Sequence, residues 1–170
     1  DVPRLRCVPG GGQHIPAAAP VYYAHRDTWY ANPKAQINAW IPLHDVDEAV
    51  TFEIFPEAFD RAVENDSERF DLEDWEANIG FQNPSPPVDA YPRARGSGWG
   101  PPLRFDARAG EILLFAAAHL HATRPHAREE ARFSTDFRFV HLDDHQAGLG
   151  APDPDNRSRG STLASYRVRG

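Results

Sequence analysis

"GEILLFAAAHLHATRPHAREEARFSTDFRFV", residues 110–140, reads as a β-strand over 111–123, a turn, and an antiparallel return strand over 131–142. Successive strand side chains point to opposite faces. Phe115, Ala117, His119, His121 and Thr123 therefore share one face of the first strand. On the return strand Arg132, Ser134, Asp136 and Arg138 share a face, while Phe133, Phe137 and Phe139 point the other way. An inner wall of His, Thr, Ser and Arg suits a working cavity better than a packed core, because buried polar groups need partners. A guanidinium there needs an acidic partner or a bound anion. Its planar fork of donors matches a carboxylate, so an acidic cosubstrate is a suitable occupant.

Working outward, the other regular segments are short and rich in β-branched and aromatic residues, with Pro, Gly, Asn and Asp between them. "VYYA" (21–24), "QINAWIPL" (36–43) and "AVTFEIF" (49–55) read as strands. "PEAFDRAVENDSERFDLEDWEANIG" (56–80) reads as a helix, with Pro56 at its start, Phe59 and Val63 four apart, and Gly80 as its stop. The Pro- and Gly-dense stretch 83–102 is expected to be a loop, either a mobile lid or a plain surface connection, and the polar tail 150–170 to be mobile until its last few residues. Mostly antiparallel strands in 170 residues predict a single mainly-β domain, a sandwich or barrel with a little helix packed outside.

Composition removes several function classes. A net charge of −7 argues against a nucleic-acid surface. It is compatible with a cationic small substrate. The lone cysteine, Cys7, rules out an internal disulfide framework and a Cys-rich zinc site, and suits a reducing cytoplasm. "EILLFAAA" (111–118) is far short of the roughly 20 residues of a membrane span. The chain starts with Asp and contains no Met, so it is expected to begin inside a longer protein.

"YYAHRDTWY" (22–30) places His25 and Asp27 two apart, where one face of a strand would carry both. Imidazole plus carboxylate suits a divalent first-row metal, and a second His on the same side completes the set used by non-haem Fe(II) oxygenases. Taken alone the pair reads more readily as the polar lip of a strand; "HLD" at 141–143 repeats the pattern.

Taken together, "HRD" (25–27), "HAT" (121–123) and "RFS" (132–134), the last beginning eleven residues after His121, resemble the Fe(II)/2-oxoglutarate-dependent dioxygenases. Within them the similarity is to the phytanoyl-CoA dioxygenase-like branch, which includes bacterial small-molecule tailoring enzymes of antibiotic biosynthesis. It runs from about Val21 to Val140. The resemblance implies a double-stranded β-helix (jelly roll) with a few peripheral helices. It also implies a cytoplasmic oxygenase that uses Fe(II), 2-oxoglutarate and O2 to hydroxylate or oxidatively cyclise a small molecule. It carries His25, Asp27 and His121 over as metal ligands, Arg132 as the partner of the distal carboxylate of 2-oxoglutarate, and Thr123 and Ser134 as hydrogen-bonding neighbours of that cosubstrate. Gln36 and Asn38 fall where they can face the cavity. A carboxylate at position 27 speaks against halogenation, because related halogenases place Gly or Ala there.

Three departures stand out. The family's helical N-terminal region and its additional strands are absent from these residues. The only lysine, Lys34, follows the His-x-Asp, whereas some members use an earlier one. "IFPEAF" (54–59) replaces the usual Pro-Gly-Ser-His turn. Spacing to Arg132 favours His121 over His119 as the distal ligand. His126, His141 and His145 read as solvated, and His14 and His44 have no partner spacing. Two alternatives stay open: a non-catalytic jelly-roll domain that binds a carbohydrate or partner, and a cupin-type metalloenzyme without a cosubstrate, in which Arg132 has no task.

Overall fold

A computed structural model describes residues 2–80, 83, 86–87 and 89–167. Six strands carry the architecture: β1 (Arg4–Val8), β2 (Gln36–Pro42), β3 (Phe52–Ile54), β4 (Leu113–Ala116), β5 (His121–Thr123) and β6 (Arg132–Val140). They pair antiparallel into a four-stranded sheet of order β1-β6-β2-β4 and a two-stranded sheet β3-β5. Single bridges widen the small sheet on both sides, His25 to His121 and Ile54 to Leu103. The chain is mainly β with few helices, and neither sheet closes into a barrel among the described residues.

Aromatic rings join the sheets. Trp40 on β2, Phe52 on β3 and Phe105 meet nearly edge to face, with centroids 5.2–5.9 Å apart, and Phe115 on β4 lies 5.4 Å from Phe52. Such pairs add about 0.5–1.5 kcal/mol each to ordinary apolar burial. A second cluster joins Trp29 to Phe55, Ala58, Val63, Leu120 and Ala122, and Trp99 packs on Phe55 at 5.3 Å. A third gathers Phe70, Leu72 and Trp75 around helix α1 (Leu72–Asn78), whose first turn is capped by Asp71.

Register places the polar side of the large sheet inward. Asn38 faces Arg138 across the β2–β6 ladder, Trp40 faces Asp136, and Asp136 faces Arg4. Directly paired residues share a face, so Arg4, Arg132, Ser134, Asp136 and Arg138 line the interior with Asn38 and Trp40. Arg6 clasps Asp136 through Nε at 2.6 Å. The outer face is apolar and open: Leu5, Leu43, Leu114, Phe133 and Phe139 are all exposed.

Several expectations need correction. Residues 21–24 are not a strand. Val21 and Tyr22 end a 3-10 helix, Pro16–Tyr22, because Pro16 and Pro20 cannot donate to a ladder. The stretch 111–123 is two strands broken at Ala117–Leu120, where the chain crosses between sheets. Consequently β5 and β6 do not form the expected hairpin: β5 pairs with β3, β6 with β1 and β2. The helix expected over 56–80 reduces to short 3-10 turns at Pro56–Ala58 and Ser67–Arg69, followed by α1. Asn65 accepts from the Ser67 amide, and Asp66 accepts from the Arg93 amide, so polar side chains satisfy the backbone in place of a helix.

The tail is anchored: Asp155 is buried, and Ala151 N donates to Lys34 O at 3.0 Å. The 83–102 loop lies partly outside the described residues; within them, Ala94 bridges to Asn65. "HLDDH" forms a short helix α2 (Leu142–Gln146) with His141 as its cap. His126 is buried, with Nε2 3.2 Å from Val8 O, rather than solvated. No helix of the described residues is long and apolar enough to cross a membrane.

Candidate metal centre

Two segments far apart in sequence are laced together at this point. His25 N donates to His121 O at 2.9 Å, and His121 N returns the bond at 3.0 Å. Asp27 N donates to Ala117 O at 2.9 Å as the chain turns into the 3-10 helix Asp27–Tyr30. The turn ends on Ala31 at φ 60°, a left-handed conformation uncommon outside glycine.

Backbone carbonyls orient both imidazoles. Nδ1 of His25 lies 2.7 Å from Tyr23 O, and Nδ1 of His121 lies 2.9 Å from His119 O. A carbonyl accepts only, so each Nδ1 carries the proton and each Nε2 keeps a free lone pair. The ring centroids are 4.4 Å apart, and His25 Nε2 stands 3.5 Å from Asp27 Oδ1. One ligand atom from each of His25, Asp27 and His121 lies within 4.8 Å of the others.

The second oxygen of Asp27 is already occupied. Asn38 Nδ2 donates to Oδ2 at 2.7 Å and Gln36 Nε2 at 3.4 Å. Gln36 Nε2 also donates to Asn38 Oδ1 at 2.7 Å, and the Tyr166 hydroxyl donates to Gln36 Oε1. This chain of amides leaves Oδ1 facing the histidines. Tyr30 packs against the His25 ring at 5.1 Å and Phe115 against the His121 ring at 5.2 Å, both nearly perpendicular.

Charge and burial set the protonation states. Burial works to protonate Asp27, but the His25 imidazole beside Oδ1 and the charge of Arg138 outweigh it, holding the carboxyl far below the usual range. Burial, aided by His25, pushes His121 down to about 4, so it is neutral at pH 7. Two free imidazole nitrogens and one ionised carboxylate oxygen fit a divalent first-row metal.

Arg132 and Ser134 sit farther along the inner face of β6. Arg132 Nη1 donates to Val50 O at 3.3 Å, and the guanidinium lies 5.9 Å from the Trp40 ring centre. Its Nε and the Ser134 Oγ are buried without a hydrogen-bond partner. Burial pushes Arg132 down to about 10, which leaves it charged at neutral pH. Thr123 is half-buried on β5, opposite Phe52. His119 does not join the cluster: its ring stacks on Phe59 at 4.3 Å and its Nδ1 lies 3.2 Å from the Ala116 amide.

Gln36 and Asn38 carried a sequence signal, two polar residues at period two inside an apolar strand. Tyr166 and Asp155 carried none, because nothing in a polar tail marks which residue turns inward.

No protein-family model matches the sequence, and no curated protein matches it. Among solved structures the chain is similar to the non-heme monooxygenase ThoJ in its apo form, at 13% identity and a TM-score of 0.49, over 81% of this chain and 44% of that one. It is similar to AviO1 from Streptomyces viridochromogenes Tue57 at 18% identity and a TM-score of 0.42, over 82% and 51% of the two chains. It is also similar to SnoK, a non-heme alpha ketoglutarate dependent carbocyclase from nogalamycin biosynthesis, at 18% identity and a TM-score of 0.43, over 78% and 51%. The chain spans about half the length of these structures.

Proposed function

We propose that this chain is the catalytic part of an iron(II)- and 2-oxoglutarate-dependent oxygenase that hydroxylates or oxidatively cyclises a small molecule. The observation that carries the reading is the convergence of His25, Asp27 and His121, with ligand atoms within 4.8 Å of one another and both histidines held with Nε2 free. Support for a double-stranded β-helix comes from the strand order. Going along the chain, β1, the His25 bridge, β2 and β3 alternate between the two sheets, and Leu103, β4, β5 and β6 do so again.

His25, Asp27 and His121 would hold the metal, with Asn38 and Gln36 occupying Asp27 Oδ2 so that Oδ1 is the oxygen left to bind it. Arg132 would pair with the distal carboxylate of 2-oxoglutarate, assisted by Ser134 and Thr123. The unpartnered Arg132 Nε and Ser134 Oγ, two residues apart on one strand face, fit that anion. When bound, iron(II) with 2-oxoglutarate supplies the oxygen activation that attack on an unreactive carbon needs. The protein's own part is to fix three ligands on one side, grip the cosubstrate's far end and keep water away with Tyr30, Phe52 and Phe115.

Anaerobic titration tests the reading. Adding 2-oxoglutarate to protein loaded with one equivalent of Fe(II) is expected to raise a visible charge-transfer band, and Arg132→Leu to shift its appearance to much higher 2-oxoglutarate. A protein that takes up no stoichiometric Fe(II), or forms no such band at millimolar cosubstrate, overturns it.

A further inference from the structure

Between the two ligands of the His-x-Asp lies Arg26, completely buried and outside the chemistry described so far. All five of its N–H donors are used. Nε donates to Asp155 Oδ2 at 3.1 Å. Nη1 donates to Ala118 O and to Phe59 O, the latter at 3.3 Å, and Nη2 donates to Ala58 O at 2.6 Å and Arg61 O at 2.8 Å. Asp155 in turn accepts from Trp29 Nε1 and from the Val63 amide, each at 2.8 Å.

We infer that the Arg26–Asp155 pair is a positioning device for the metal centre, through which the C-terminal segment fixes the two ligand-bearing turns against each other. Arg26 is the residue between His25 and Asp27, and Ala118 belongs to the crossover leading into His121. One guanidinium therefore ties both ligand segments to a common block made of 58–63 and Asp155. Net stability is a poor explanation for such a pair, since two buried charges recover their desolvation cost only partly and an apolar pair often does as well. Geometry is the better one: a fork with five fixed directions sets distances that an apolar contact leaves loose. Residues that orient metal ligands from behind are worth about 10–100-fold in metal affinity.

The inference rests on the metal-centre reading, and the test separates the two. Co(II) titration of the protein, followed by the visible absorption of the bound ion, gives an affinity and a spectral signature of the ligand geometry. Asp155→Asn and Arg26→Lys are expected to bind Co(II) about 10–100-fold more weakly, with an altered band pattern. Trp29→Phe, which removes one donor from Asp155 and keeps an aromatic ring, is expected to weaken binding several-fold if the stronger variants do not fold. Asp71→Asn removes an exposed anchor of the same C-terminal segment, the ion pair with Arg159 at 3.0 Å, and is expected to leave affinity and spectrum unchanged. Parental affinity and spectrum in Asp155→Asn and Arg26→Lys overturn the inference. So does an equal loss in Asp71→Asn, which would mark general loosening. A parent protein that binds no Co(II) removes the metal centre itself, and this inference with it.

Discussion

Asn38, eleven residues along the chain from Asp27 and on strand β2, donates through Nδ2 to Asp27 Oδ2 at 2.7 Å. The contact decides which oxygen of Asp27 is left for a metal. Asn38→Leu is expected to free Oδ2 and lower Co(II) affinity about 10-fold while leaving the fold intact, as circular dichroism would check. Unchanged binding would show that Asp27 needs no such restraint.

The two neighbouring histidines are expected to behave differently. His121→Ala should abolish stoichiometric Fe(II) binding, measured by metal analysis after gel filtration. His119→Ala should retain it and lose stability instead, because the ring stacks on Phe59. Retention of metal by His121→Ala together with loss in His119→Ala would reverse the assignment of the distal ligand.

Arg132→Leu is expected to raise the 2-oxoglutarate concentration needed for half-maximal succinate release by at least 10-fold, with Fe(II) affinity unchanged. Removing a buried hydrogen-bonded charge partner costs about 2–5 kcal/mol of binding. A parental 2-oxoglutarate requirement in this variant would detach Arg132 from the cosubstrate.

Stability of the metal-free protein should depend on pH through His121. Its folded-state value, about 4, lies below the ordinary 6.5, so the unfolded chain binds the extra proton first. The contribution is therefore complete above pH 6.5 and is lost as pH falls from 6.5 to about 4, by up to about 3 kcal/mol. His119, also pushed down chiefly by burial, adds in the same direction. Urea titrations across that window should show the slope, and His121→Gln should flatten it.

Trp40 bridges the sheets, so Trp40→Ala should cost about 3–5 kcal/mol in the same urea titrations. A loss below 1 kcal/mol would mean that the Phe52, Phe105 and Phe115 rings close the gap.

Much of this was readable because strands report themselves through period-two alternation. "QINAWIPL" and "ARFSTDFRFVHL" gave β2 and β6 nearly to the residue, and with them the inward set of Arg132, Ser134 and Arg138. The triad was readable as chemistry, through His-x-Asp and the later His. Its local geometry was not: His25 sits on a single bridge, not at the end of a regular strand, since Pro16 and Pro20 precede it. The break at Ala117–Leu120 left no mark either, because small residues suit strand and turn alike. β1 escaped notice as five residues with two arginines, whose inward direction depends on Asp136 being opposite. Arg26 and Asp155 lie 129 positions apart, and a contact of that range has no local signature.

β6 carries Arg132, Ser134, Asp136 and Arg138 on one side and Phe133, Phe137 and Phe139 on the other. Inserting a single residue after Ala131 would turn the strand inside out, exchanging Arg132, Ser134 and Arg138 for Phe133, Phe137 and Phe139. Such a frameshift in pleat would deliver rings into the cavity and strand the arginines outdoors, so evolution can lengthen this protein at its loops but not there.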